Sequence, residues 1–172
     1  MNVLRFLRPE CIKLDLDFVP SEPLEDETDV QRDKRLHKDK ERVLEEIADL
    51  LSQSGQVANR SKFYRDLLNR ERKATTAIAP GIAIPHVRTM QVRSFIMGFA
   101  RAAGEGIPFE SLDGDPTRLF FLLASPPYDD RTYLAVYREL SELIQDEDSF
   151  AALREARVPQ DVFNVLRGFF VR

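Results

Sequence analysis

The sequence has one cysteine and two histidines in 172 residues. Cys11 has no partner for an internal disulfide, and no Cys/His spacing resembles a zinc site, which fits a reducing cytosol and predicts no metal. The opening run Met1-Asn2-Val3-Leu4-Arg5-Phe6-Leu7-Arg8 is broken by two arginines. It is too short for a signal-peptide core or a spanning helix, so a soluble, cytoplasmic protein with no membrane insertion is expected. Excess positive charge is also lacking: the formal net charge is -4, and no local basic patch offsets it, so nucleic acid is not an expected partner. No GxxxxGK[ST] loop is present, so a nucleotide held in such a loop is not expected as a phosphate donor. No cofactor is implied.

What is present has an ordinary globular balance, 43% hydrophobic and 31% charged, and the length suits one domain over residues 1–172. Pro20-Ser21-Glu22-Pro23 opens an acidic stretch, followed by mixed charge to Arg42. Residues of about 21–40 therefore read as an exposed charged loop or arm, a type of segment that most often serves only to keep backbone in water, with partner docking as the alternative. From about Lys38, Val43, Leu44, Ile47, Leu50 and Leu51 recur at helical spacing up to a stop at Gln53-Ser54-Gly55. A second helix is predicted over about 59–71, with Arg70 and Arg72 in its last turn, where cations suit the helix dipole.

After Lys73 the texture becomes strand-like. Ala77-Ile78 and Ile82-Ala83-Ile84 are short apolar pieces punctuated by Pro80, Gly81 and Pro85, which a helix would not tolerate. Residues 93–101 alternate as a strand covered more heavily on one face, and Leu119–Ala124 is a continuous apolar run expected of a central strand. Asp129 or Asp130 can cap a helix striped by Tyr133, Tyr137, Leu140 and Ile144. Two short helical pieces follow, at about 148–156 and 160–168. Helices before, between and after strands predict an α/β fold, with helices packed on a central sheet.

His37 lies in dense charge, so any histidine chemistry falls on His86. Pro85 fixes its own φ and restrains Ile84 to extended geometry, which presents His86 from a stiff backbone at the sheet edge. A neutral imidazole so placed can attack phosphorus through one ring nitrogen while the other donates a hydrogen bond that holds the tautomer. Arg70, Thr75 and Thr76 offer donors for phosphate oxygens, and Arg88 is a further candidate. Each has a plainer alternative. A single histidine near an apolar strand is more often a satisfied structural residue, Arg70 a helix-terminal surface charge, and Thr75-Thr76 turn residues. A metal-dependent hydrolase has little support, because one histidine and scattered carboxylates lack the usual ligand spacings.

The segment from Arg70 through Lys73, Thr75-Thr76, Pro80-Gly81 and Ile84-Pro85-His86 resembles the active segment of the enzyme IIA domains of the phosphoenolpyruvate-dependent phosphotransferase system, in the fructose/mannitol and nitrogen-regulatory class. Phe109–Pro116, Leu119–Pro126 and the helix after Asp130 are similar to that family's following turn, strand and helix. The resemblance covers roughly Glu41 to Phe170. It implies a mixed sheet flanked by helices on both faces, with His86 as phosphoryl acceptor, Arg70 as the phosphate-site arginine and Thr75-Thr76 as the loop beside it. It also implies a phosphocarrier protein as donor, and either a IIB component, for sugar transport, or a regulatory target as recipient; a homo-oligomer is a further expectation. Tyr133 stands where the family commonly has a second histidine, its hydroxyl within reach of phosphate or packed in the core. Val87 stands where glycine is common, as do Ala74 and Ala77. With no IIB-like or membrane segment in the chain, a free-standing regulatory carrier of phosphohistidine is expected. The alternative is a IIA-like binding or sensory module that is not phosphorylated.

Overall fold

Alternating apolar residues on the strands face two separate helical layers, and that alternation organises the fold. The computed structural model describes residues 1–171. After a 3-10 turn at Val3–Phe6 come β1 (Leu7–Lys13), α1 (Asp29–Ser52), α2 (Arg60–Lys73), β2 (Ile82–Ala83), β3 (His86–Arg88), β4 (Ile96–Arg101), β5 (Leu119–Ser125), α3 (Asp130–Leu143), α4 (Glu147–Glu155) and α5 (Pro159–Phe170). The sheet is mixed. β1 runs parallel to β4, β4 antiparallel to β5, and β2 and β3 both pair parallel with β5.

Ile96, Ala100, Phe120, Leu122 and Ala124 pack with Val43, Leu44, Ile47, Leu51, Phe63 and Leu67 of α1 and α2. Their neighbours Met97, Phe99, Phe121 and Leu123 pack instead with Val136, Leu140, Leu153, Val162 and Leu166 of α3 to α5. Period-two alternation therefore feeds two cores. β5 is buried along its whole length, as its unbroken apolar run predicted. β4 is covered on both faces, not mainly on one, and begins at Ile96 rather than Arg93. Gly98 explains how α1 comes so close: a Cβ there would lie 2.8 Å from the Cys11 carbonyl oxygen and 3.1 Å from Leu51 Cδ2.

Two further readings change. The stretch of about 21–40 is a loop only as far as Thr28, whose side chain and that of Gln31 form a reciprocal capping box that starts α1 at Asp29. Nor is it merely solvated. Arg35 pairs with Glu27, Asp39 is buried and accepts from the Ser21 amide at 2.9 Å and its hydroxyl at 2.6 Å, and Lys40 is buried against Glu71. Residues 32–42 lack an apolar stripe because 32–38 are exposed or half-buried and the two buried side chains, Asp39 and Lys40, are polar. The N-terminal segment, to which the sequence assigns no element, supplies β1; Pro9 and a register shift between Leu7 and Ile12 hide its alternation.

Candidate functional site

Pro85 breaks the edge strand and creates the site. Having no amide hydrogen, it interrupts the ladder between β2 and β3. The Ile84 amide turns away to the Thr76 carbonyl, 3.0 Å. His86 thus opens β3 rather than following a strand's end, in register with Leu123. Its ring folds back so that Nδ1 lies 2.5 Å from the Ile84 carbonyl oxygen. A carbonyl can only accept, so Nδ1 carries the hydrogen and Nε2 is left with its lone pair. Arg70 Nη2 donates to that nitrogen from 3.2 Å, and Nη1 holds the Ala74 carbonyl at 3.1 Å.

His86 is only 5% exposed. Burial is the main force holding its pKa below the ordinary imidazole value; the Ile84 bond opposes it, and the neighbouring Arg70 charge adds to it. The ring is therefore neutral at physiological pH. Tyr133 and Tyr137 flank it at centroid distances of 5.8 and 5.4 Å. Burial raises the Tyr133 pKa, so its hydroxyl remains a donor.

A cavity of about 460 Å³ opens at His86, lined by Arg70, Lys73, Arg88 and Tyr133 among others. Three cations on this wall face one carboxylate, Asp66, which already accepts from the Thr89 hydroxyl at 2.6 Å. The cavity suits an anion. The structure brings Arg70, His86, Arg88 and Tyr133 together there, but Arg88 is committed: it donates to the Pro127 carbonyl at 2.8 Å, pairs with Asp130 and lies over the Tyr133 ring.

Thr75 and Thr76 are not brought to the cavity wall. The Thr75 hydroxyl faces the Phe109 carbonyl and Lys40, and the Thr76 amide and hydroxyl both end on the Glu71 carboxylate, at 2.8 and 2.7 Å. Their hydroxyls position the loop rather than line the cavity. Sequence reasoning also missed Asp66, Asn69 and Lys73 on the cavity wall. With Arg70 they recur at three- and four-residue spacing on one face of α2, a signal readable only once it is known which face meets β3. Tyr137 was legible only as part of an apolar stripe. His37, taken as solvated, is half exposed and reaches Glu110 at 3.2 Å. Among the described residues no group of His, Cys, Asp and Glu is arranged to hold a metal ion, and no helix is long and apolar enough to cross a membrane.

A mixed α/β sheet with helices on both faces, presenting one neutral, arginine-held imidazole in a cation-lined cavity, defines a class of histidine-presenting α/β domains. More particularly, the chain belongs to the family described as phosphoenolpyruvate-dependent sugar phosphotransferase system, EIIA 2, whose model matches residues 24–168. It is 37% identical over 127 residues to the fructose-specific EIIA component of Haloferax volcanii, covering 74% of this chain and 82% of that protein. A nitrogen regulatory protein of Bradyrhizobium diazoefficiens is 34% identical, with the same coverage. The fructose-specific EIIABC component of Bacillus subtilis is 33% identical over 75% of this chain, but the match spans only 20% of that longer protein.

Solved structures agree on the fold. Nitrogen regulatory protein IIA-Ntr from Neisseria meningitidis superposes with a TM-score of 0.78 at 23% identity, covering 96% of this chain and 99% of that one. The Escherichia coli IIA of the mannitol system, solved in complex with phosphorylated IIB, gives 0.68 at 20% identity, covering 94% and 99%.

Proposed function

We propose that the protein is a phosphoryl carrier in which Nε2 of His86 accepts phosphate from a phosphocarrier protein of the phosphotransferase system, and that the carried phosphate serves regulation. The observation that carries this reading is the imidazole itself: Nδ1–H is committed to the Ile84 carbonyl, and Nε2 meets Arg70, which with Lys73, Arg88 and His86 itself lines the cavity. In the transfer, the Nε2 lone pair forms an N–P bond as the donor's own N–P bond breaks, and that bond's electron pair returns to the donor imidazole. A donor ring protonated on its other nitrogen leaves neutral. The positive charge passes to the His86 ring, whose Nδ1–H already faces a carbonyl dipole. Arg70 supplies further N–H groups to the phosphoryl oxygens.

Tyr133 bears on what happens next. A phenol donates a hydrogen bond to phosphate but has no acid–base range near neutral pH. The site is thus better suited to holding a phosphate whose presence a target protein reads than to handing it rapidly to a IIB component. A phosphocarrier donor implies a cytoplasmic protein. Incubation with phosphoenolpyruvate, enzyme I and phosphocarrier protein, followed by mass spectrometry under alkaline conditions, should add one phosphoryl group on His86, and His86→Ala should abolish it. Absence of phosphate on His86 with every cognate carrier would sink the proposal.

A second reading has its own observation. Arg88 is held by Asp130 and Pro127, Thr75 and Thr76 turn away, and Val87 is buried where glycine is common. That arrangement suits an anion-binding or sensory module of IIA-like fold. Full biological function retained by His86→Ala decides for it.

A further inference from the structure

Two consecutive residues of α2 control the two nitrogens of one ring. Arg70 meets Nε2 directly. Glu71, about 100° further round the helix, is linked to Nδ1 by hydrogen bonds joined through the Thr76 and Ile84 backbones. Its carboxylate takes the Thr76 amide on Oε1 and the Thr76 hydroxyl on Oε2; the Thr76 carbonyl takes the Ile84 amide at 3.0 Å; the Ile84 carbonyl takes His86 Nδ1–H. Because Pro85 has no amide hydrogen to give to the ladder, Ile84 is anchored by its own amide to the Thr76 carbonyl on one side, while on the other the Pro85 carbonyl accepts from the Leu123 amide at 3.1 Å. Glu71 is in turn held by Lys40 of α1, whose Nζ lies 2.9 Å from Oε1, with both side chains under 5% exposed.

Such a buried pair is weak evidence for stability, since well-packed apolar residues commonly replace one at no cost. Its specific consequence is directional. Lys40 also faces Thr75, Glu110 and the Phe109 ring, so it is fixed from several sides and presents Glu71 to Thr76 in one geometry.

We propose that Lys40 and Glu71 are positioning residues which, through Thr76 and Ile84, hold His86 in the tautomer that leaves Nε2 as the nucleophile. The proposal deepens the reading of His86 as phosphoryl acceptor and rests on it. It also gives the charged N-terminal half of α1 a role, because Lys40 belongs to that half.

The test compares two double variants that both lack the ion pair. Lys40→Met/Glu71→Gln keeps an amide oxygen for the Thr76 amide and an NH2 for its hydroxyl; Lys40→Met/Glu71→Leu keeps neither. Nitrogen-15 spectra of the imidazoles give the tautomer of His86, and labelling by phosphoramidate, a small phosphoryl donor, gives reactivity without a docking protein. The glutamine variant is expected to keep the Nδ1–H tautomer and most of the labelling rate. The leucine variant should show mixed tautomers and label at least about tenfold more slowly, as a misaligned nucleophile does. A role confined to the ion pair or to packing predicts that the two variants behave alike, and that result overturns the proposal. If the leucine variant does not fold, Lys40→Met/Glu71→Met, whose unbranched side chain is closer in shape to glutamate but takes neither Thr76 hydrogen, decides: a detectable second tautomer supports the proposal and an unchanged one overturns it. Wild-type protein that no donor labels defeats the phosphoryl-acceptor reading, while the tautomer comparison still decides the positioning.

Discussion

Replacing Arg70 by alanine tests the chemistry of the site most directly. The guanidinium spends one hydrogen on the Ala74 carbonyl and one on His86 Nε2, which leaves three of its five N–H groups free. As a phosphoryl group arrives, Nε2 gives its lone pair to phosphorus, and the Nη2 hydrogen it accepted is released toward a phosphoryl oxygen. The variant therefore loses at least one charge-assisted hydrogen bond in the transition state. At about 1.5–3 kcal/mol for such a bond, transfer should slow roughly 10- to 150-fold. Because Arg70 is only half-buried on an open cavity, the lower half of that range is expected. The same change removes a cation beside the ring, so the His86 pKa should rise from its lowered position. Arg70→Lys keeps the charge but cannot bridge Ala74 and His86 together, and should restore only part of the rate. Quenched-flow labelling measures the rate, and imidazole titration by NMR measures the pKa. Transfer within twofold of wild type, or a His86 pKa that falls, would refute the reasoning.

Stability should depend on His86 in mildly acid solution. Its native pKa is lowered, so below pH 6.5 the unfolded chain binds a proton before the native chain does. Unfolding free energy should fall as pH drops from 6.5 toward the native value, by no more than about 1.4 kcal/mol per pH unit, and urea titrations of His86→Gln should show that slope reduced. Gly98→Ala should cost about 1–3 kcal/mol in chemical denaturation, since its Cβ would meet the Cys11 backbone oxygen at 2.8 Å; an unchanged midpoint would contradict the packing described. Cys11 is buried, and its pKa is pushed up to about 12, mainly by desolvation, so alkylating reagents at pH 8 should spare it until the chain unfolds.

Local patterns carried much of the fold. The periodic stripes of α1 and α3, the Asp129 cap, and the apolar run of β5 are all written within short windows, because a 3.6- or 2-residue period needs only neighbours along the chain. β1 escaped notice because Pro9 and a register shift break its alternation, and the first two to three turns of α1 escaped because residues 29–38 bury no side chain and so need no apolar stripe. At the site, Arg70 and His86 were legible as residue types at a suitable distance along the chain, and they do meet at 3.2 Å.

The sequence by itself determined most of the elements, β1 and the start of α1 excepted, and which histidine has chemistry open to it, since propensity, capping and proline geometry act over a few residues. Only the tertiary structure decided where hydroxyls and charges were spent. Thr75 and Thr76 look like phosphate donors in one dimension, yet Glu71 and the Phe109 carbonyl claim them in three. Arg88 looks free, yet Asp130 and Pro127 hold it. A polar side chain pairs with whichever partner packing leaves within about 3 Å of it, and packing brings together residues from distant parts of the chain. The tautomer of His86 is the sharpest case: the Ile84 carbonyl two residues away meets one nitrogen and Arg70 the other, and Ile84 is in turn anchored through its amide to Thr76, which Glu71 and Lys40 hold from elsewhere in the fold.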